Sequence, residues 1–174
     1  MTVTTLRRMA HGALEPQGGV TETCGGDHTV MLQFLNAALA TELVCVLRYR
    51  RHHFMARGLG ARRIAEEFLI HADEHLAHAD LIAERIVQLG GEPDFAPATL
   101  CDRSHCRYVP ANALVEMIRE NLGAARIAID AYRGQLETLE ESERTTRRML
   151  EGILGVQEAH ADELVELLED SSVE

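Results

Sequence analysis

The sequence has no tryptophan, and aromatic residues make up only 4% of its 174 residues. Sheets draw on aromatic and β-branched side chains, so this scarcity favours helices whose core consists of leucine, isoleucine, alanine and valine. An excess of positive charge is also missing, since the formal net charge is −11. Because such a surface repels phosphate groups, we expect no binding to nucleic acid through the folded body.

Cysteine is scarce too, and the four cysteines are too scattered to form a disulfide scaffold. Cys45 lies inside a helical pattern and is predicted to be a small buried hydrophobic residue. Cys101 and Cys106 flank His105 in a predicted loop. This segment lacks the paired spacing of a structural zinc site, so three interpretations stay open: a metal clip, a local disulfide or a plain loop.

The chain has the length of one domain and can bury a full core without disulfides. No apolar run approaches the length of a membrane span, and the start lacks a signal-peptide core, so we expect a cytoplasmic protein without membrane contact. Residues 1–27 show no sustained periodicity and predict a loosely ordered segment. Residues 28–170 predict one helical bundle, and residues 171–174 a short tail.

Apolar residues recurring at three- and four-residue steps predict four helices, at about 28–57, 61–89, 111–139 and 145–169. Capping and stop signals agree with these limits: Asp27, Gly58, Gly90 to Pro93, and Pro110. Two short loops make the first and second helices, and the third and fourth, antiparallel hairpins. The roughly twenty residues between the second and third helices predict a crossover, and the fold class is therefore an all-α four-helix bundle.

The second predicted helix places three histidines on its inward stripe, where a core would ordinarily hold leucine: His71, His75 and His78. Glu42 lies on the inward stripe of the first helix, and His160 on that of the fourth. Buried imidazoles need partners once they leave water, and a metal ion is an economical partner for several of them. The pattern predicts a metal-binding interior.

Several segments of the sequence resemble the bacterioferritins. Residues 35–43 (LNAALATEL) are similar to the opening of their first helix, and residues 153–160 (ILGVQEAH) to a motif of their fourth. Residues 78–86 (HADLIAERI), followed by 89–93 (LGGEP), are similar to the end of their second helix. The resemblance covers about 30–168 and implies a ferritin-like bundle with one long crossover.

In that family, two irons are held by four carboxylates and two histidines. Glu42 matches the carboxylate of the first helix, and His78 and His160 match the two histidines. The other three carboxylate positions hold no carboxylate here: His75, Ala125 and Gln157. If the alignment with the family's ligand motif were shifted by one residue, Glu74 or Glu158 would occupy a carboxylate position. Both side chains are expected to point away from the inward stripe.

Charge indicates what this ligand set can hold. One carboxylate cannot neutralise two divalent ions, and neither imidazole nor amide is a good bridge between them, so a complete di-iron centre is not expected. A single ion is chemically sensible, bound by residues from the set Glu42, His75, His78, His160 and Gln157. Iron is the metal that the resemblance implies, with zinc or copper as alternatives. Leu76 replaces the haem-binding methionine of the family, so no haem is expected.

The first predicted helix carries more apolar residues than one inward face needs: Leu32, Phe34, Leu43, Val44 and Leu47. We expect them to form an interface, giving a dimer or a twelve-subunit shell. Residues 161–174 are expected only to finish the fourth helix, so we do not expect the 24-subunit cage of the family, which uses a fifth helix. Three functions remain open: a metal-binding, iron-handling protein with an altered site, an active ferroxidase or storage protein, and a metal-free assembly or partner module.

Overall fold

The computed structural model describes residues 25–58 and 60–171, and all regular secondary structure in these ranges is helical. Four long helices are present: α1 (Gly25–Met55), α2 (Ala61–Gln88), α4 (Leu114–Thr138) and α5 (Arg144–Ser171). Between α2 and α4 lie a 3-10 turn (Pro97–Thr99) and the short helix α3 (Leu100–Arg103). The predicted all-α fold class is confirmed.

Contacts at both ends of the first hairpin show that α1 and α2 are antiparallel. Near the end of α1, the His53 Nδ1 atom hydrogen-bonds with the Ala65 carbonyl oxygen at 2.6 Å. Near its start, the His28 Nε2 atom bonds with the Leu89 carbonyl oxygen at 2.8 Å. Residues late in α1 therefore meet residues early in α2, as the short predicted loop requires.

The relative directions of the helices require a long crossover between α2 and α4. Helix α5 is antiparallel to α2, since His71 pairs with Glu163 and Arg85 Nε donates to Thr146 Oγ1. Helix α4 is antiparallel to α1, since Glu42 contacts Tyr132 whereas the later residue Arg48 contacts the earlier residue Asn121. Helices α2 and α4 are therefore parallel, so residues 89–113 must run the length of the bundle between them.

Among the described residues, two large apolar clusters fill the bundle on either side of a polar layer at its middle, and a third, small cluster lies under the crossover. One cluster includes Leu35, Leu39, Ile82, Ile86, Leu150 and Ile153. The other includes Tyr49, Ile64, Phe68, Met117, Ile118 and Leu164. The predicted inward stripes are confirmed, and the histidines at 71, 75 and 78 are buried within the stripe of α2.

Two helix starts differ from the sequence prediction. Helix α1 already includes Asp27, which is therefore not its N-cap, because intrinsic propensity is a weak guide to a terminus. Helix α4 begins at Leu114 rather than near 111. Arg51 donates to the Ala111 carbonyl at 2.6 Å and to Asn112 Oδ1 at 3.0 Å, and these bonds hold the preceding residues against α1. Residues 1–24 and 172–174 lie outside the described residues.

Helix α2 ends as its glycines predict. Gly90 adopts a positive φ of 76°, which a residue without Cβ reaches at no steric cost. Its N–H donates to the Val87 carbonyl at 2.9 Å, and the N–H of Gly91 donates to the Ile86 carbonyl at 2.9 Å. These two hydrogen bonds form a Schellman motif. They satisfy two backbone carbonyls at the end of α2 that would otherwise have no partner within the helix.

The crossover covers part of the outer face of α1. Leu100 packs on Ala40 and Val44, which have no exposed surface, and the His105 N–H donates to Thr41 Oγ1 at 2.9 Å. The expectation that Val44 belongs to an exposed interface is therefore wrong, because α3 occupies that position. Leu47 remains exposed, at 53%.

The segment around His105 forms neither a disulfide nor a metal clip among the described residues. Cys101 and Cys106 are free thiols, the first exposed and the second buried. The Cys106 thiol donates to the Ala124 carbonyl at 3.3 Å, and the His105 Nδ1 atom bonds with Thr41 Oγ1 at 3.0 Å. Cys101 lies in the short helix α3, and His105 and Cys106 follow it in a loop, so the predicted loop is correct only for the second half of the segment.

By length and composition alone, helix α1 from His28 to Met55 could cross a membrane, since it contains an 18-residue window with a mean hydropathy of 1.8. The expectation that no apolar run reaches that length is therefore wrong. In the bundle, 56% of this window is buried against other parts of the chain. A helix at the centre of a soluble bundle has the same composition, because its inward positions are aliphatic.

We expect Ile118→Ala to lower the free energy of unfolding by about 2–5 kcal/mol, since it opens a cavity in a closely packed cluster. Ile127→Ala on the same helix is the matched control, because Ile127 is 47% exposed and Ile118 has no exposed surface. Guanidinium unfolding at one protein concentration measures both. Equal losses for the two variants would contradict the placement of α4.

Candidate metal centre

The polar layer at mid-bundle is built around the carboxylate of Glu42 on α1, which has no exposed surface. From α2, His75 Nδ1 lies 2.6 Å and His78 Nδ1 lies 3.4 Å from Oε2. From α4, the Tyr132 hydroxyl donates to Oε1 at 2.5 Å. From α5, Gln157 Nε2 donates to Oε1 at 3.3 Å and to Oε2 at 3.4 Å. All four long helices therefore meet at one carboxylate.

The surroundings of Glu42 keep it ionised. Burial raises the pKa of Glu42, but the imidazoles of His75 and His78 outweigh that effect and lower it to about 2. Burial lowers the pKa of His75, but Cys45 and Glu42 outweigh it and raise this pKa above its ordinary value. Burial, reinforced by Glu42, raises the pKa of Tyr132, which stays a phenol and a donor.

The residues around this carboxylate fit a metal ion. Ligand atoms of Glu42, His75 and His78 all lie within 4.8 Å of one another, and all three residues are buried. His78 Nδ1 lies at ion-pair distance from Glu42 but has no hydrogen-bond partner of its own. A carboxylate with two imidazoles is a donor set that iron, zinc and copper accept.

His160 is not brought into this group. Its Nε2 atom hydrogen-bonds with Glu74 Oε2, and its ring stacks on that of His71 with centroids 3.9 Å apart. The centroid of the His75 ring is 5.5 Å away. Because His160 lies almost one turn beyond Gln157 on α5, it meets the next layer of α2. Burial, followed by His71, lowers the pKa of His160 to about 4, so this imidazole is neutral at neutral pH.

Two contacts at the site escaped the sequence analysis. Ala125 confirms that α4 offers no carboxylate at that position, but Tyr132, two turns further along, supplies a phenol instead. Tyr132 lies on the predicted inward stripe of α4, and this position in the sequence could have indicated that its phenol enters the site. Glu74 is 47% exposed, as its outward register predicts, yet its carboxylate bends back to His160. Glu158 points away, as predicted, and pairs with Arg133 at 2.6 Å.

A buried guanidinium borders the site. Arg48 donates to Asn121 Oδ1 at 3.0 Å and to the Cys45 sulfur at 3.3 Å, and it forms no ion pair with a carboxylate of residues 25–58 or 60–171 within 4.0 Å. The neighbouring Cys106 thiol lowers the pKa of Cys45 against the effect of burial, and the Arg48 guanidinium lowers it further. Cys45 is buried, as predicted, but its sulfur makes polar contacts that a plain hydrophobic residue would not.

The chain is similar in sequence to known helical proteins. The model of the ferritin-like domain matches residues 32–172. A bacterioferritin of Desulfovibrio desulfuricans is 26% identical over 131 residues, which are 75% of this chain and 69% of that protein. A nutrient stress-induced DNA-binding protein of a Synechococcus species is 30% identical over 145 residues, 80% of this chain and 81% of that one.

Solved structures agree with this result. The bacterioferritin-related protein of Bacteroides fragilis, described as a dodecameric thioferritin, superposes with a TM-score of 0.80 at 26% identity and covers 98% of this chain and 95% of its own. Dps from Thermosynechococcus elongatus shares the fold with a TM-score of 0.77 at 22% identity, over 80% of this chain and 90% of that one. The chain therefore belongs to the ferritin-like family, as a bacterioferritin-like member.

Proposed function

We propose that this chain is an iron-handling ferritin-like protein that binds a single divalent ion inside each bundle. The observation that carries this proposal is the convergence of ligand atoms from Glu42, His75 and His78 within 4.8 Å in a buried layer. Gln157 lies in the same layer and belongs to the proposed ligand set, whereas His160, which the sequence nominated as a ligand, pairs with Glu74 in the next layer and is left out. The Gln157 Oε1 atom, the metal-binding atom of that side chain, has no hydrogen-bond partner.

Charge supports one ion rather than two. The group holds a single carboxylate, so a second divalent cation would add buried positive charge without compensation. The side chains at 75 and 157 are an imidazole and an amide, which bridge hard cations poorly, and Ala125 offers no ligand atom. Among divalent metals, zinc and copper would also bind this set, but membership of the ferritin-like family favours iron. With Leu76 at the family's haem position, we propose no haem.

The purified chain is expected to retain one tightly bound ion per bundle after exhaustive dialysis, as measured by elemental analysis. His78→Ala should weaken that binding at least about tenfold, because it removes one ligand. His53→Ala is the matched control, since His53 bonds only with a backbone carbonyl on α2. Two ions bridged inside one bundle, roughly 3.5–4 Å apart as in two-metal sites, would contradict the proposal.

Oxidation of Fe(II) should be far slower than a complete di-iron site allows, because two irons must lie together to pass two electrons to one oxidant. The comparison is stopped-flow oxidation beside the triple variant His75→Glu, Ala125→Glu, Gln157→Glu. Circular dichroism checks that the variant folds. If the natural chain oxidises iron as fast as the folded variant, it is an active ferroxidase and the argument from ligand charge fails.

We also propose that the chain assembles through its outer apolar residues, as a dimer or a twelve-subunit shell. The Bacteroides fragilis relative is described as dodecameric. On α1 and α2, eight large apolar side chains are exposed among the described residues: Val30, Leu47, Phe54, Met55, Ile70, Leu76, Leu81 and Val87. Their exposure without a partner element of this chain supports an interface.

Light scattering behind size exclusion at micromolar concentration should therefore give a mass of at least two chains. Leu47→Glu should shift the population towards smaller species, because a charge would enter the apolar contact. Ile127→Glu on α4 is the matched control, since Ile127 is exposed to a similar extent. A monomeric natural chain would exclude the dimer, and a mass of twenty-four chains would exclude the smaller shell.

The Synechococcus relative is named as a DNA-binding protein. For this chain we propose cytoplasmic residence without nucleic acid or membrane contact, because a net charge of −11 opposes binding to phosphates. A metal-free assembly or partner module remains the second candidate. The two functions are distinguished by elemental analysis after incubation with Fe(II), because a metal-free module would contain no ion even then.

A further inference from the structure

A second convergence of ligand atoms lies one turn of α2 away from the Glu42 layer. Glu67 and His71 are four residues apart on α2 and therefore share one face of the helix, and Glu163 reaches them from α5. Ligand atoms of these three residues all lie within 4.8 Å of one another. His71 Nε2 and Glu163 Oε2 are 2.8 Å apart. The group shares no residue with the Glu42, His75 and His78 group.

The imidazole of His71 is not satisfied by the protein alone. The residue is only 1% exposed, yet its Nδ1 atom has no hydrogen-bond partner. A buried polar atom without a partner costs free energy, and a native structure rarely leaves one without a ligand or water. The same buried ring places its Nε2 atom beside the Glu163 carboxylate, with Glu67 also in reach, so the three side chains together could hold a cation.

The charge of the group suits a divalent ion. Two carboxylates neutralise a charge of +2, whereas the inner group offers one carboxylate. The donors are mainly oxygen atoms with one imidazole, a mixture that Mn(II), Fe(II) and Zn(II) accept. Glu163 is 54% exposed, so an ion bound here would be accessible to solvent. The inner group is buried on all sides.

We propose that Glu67, His71 and Glu163 form an outer binding site for one divalent first-row cation, separate from the Glu42 site. Its ligands are partly hydrated, so it binds more weakly and exchanges faster than the inner site. The pair of His160 and Glu74 lies between the two sites, since the His160 ring contacts that of His71 and lies 5.5 Å from that of His75. The outer site goes beyond the function proposed above and does not depend on it.

Equilibrium dialysis of the metal-free full chain against Zn(II) tests the outer site. We expect two ions per chain in two affinity classes. Glu163→Gln should remove the weaker class, or weaken it at least about tenfold, and leave the tight class unchanged. Glu166→Gln is the matched control, because it removes the same charge from an exposed position on the same helix and should leave both classes intact.

The outcomes separate the two sites. If Glu163→Gln and Glu166→Gln bind Zn(II) alike, or if the natural chain shows no weaker class, the outer site is overturned and the His71–Glu163 contact is a hydrogen bond only. Glu42→Gln tests the inner site in the same way, and it should remove the tight class alone. Retention of the tight class by Glu42→Gln would therefore count against the proposed function without affecting the outer site.

Discussion

The rest of the bundle is arranged around one buried negative charge. The carboxylate of Glu42 has left water completely, and its desolvation is offset by an imidazole, a phenol and an amide from the three other long helices. Removal of one member of such a buried network typically costs about 3–5 kcal/mol, because it leaves a charge without compensation. Through Glu42, α2, α4 and α5 all contact α1 at the same position along the bundle axis. The two large apolar clusters fill the bundle on either side of this layer.

Features encoded locally were predictable from the sequence. The helices, their glycine stops and the crossover follow from periodicity and turn chemistry, and the stripe positions of Glu42, His75 and His78 led to the inner site. The start of α4 was not predictable, because it depends on bonds from Arg51, which is distant in sequence. Periodicity tells which way a Cβ points but not how far a long side chain bends, and for that reason the carboxylate of Glu74 escaped prediction.

The polar residues form a continuous path from the surface to the centre of the bundle. Glu163 bonds with His71, whose ring stacks on His160 beside Glu74, and the next ring inward is His75 against Glu42. Burial lowers the pKa of both His71 and His160 to about 4, so these two rings are neutral at neutral pH and keep a lone pair for a cation. A di-iron bacterioferritin concentrates its carboxylates at one place, whereas this chain spreads its acidic groups along the path.

The contacts of Glu42 also have a consequence for the order of folding. They span 33 residues to His75, 90 to Tyr132 and 115 to Gln157. Contacts over such separations close long loops and form after local helices do. A chain emerging from the ribosome lacks part of the polar layer until α5 has been synthesised and docked. An ion held by the whole layer, as in the function proposed above, would therefore be bound tightly only after all four long helices have docked.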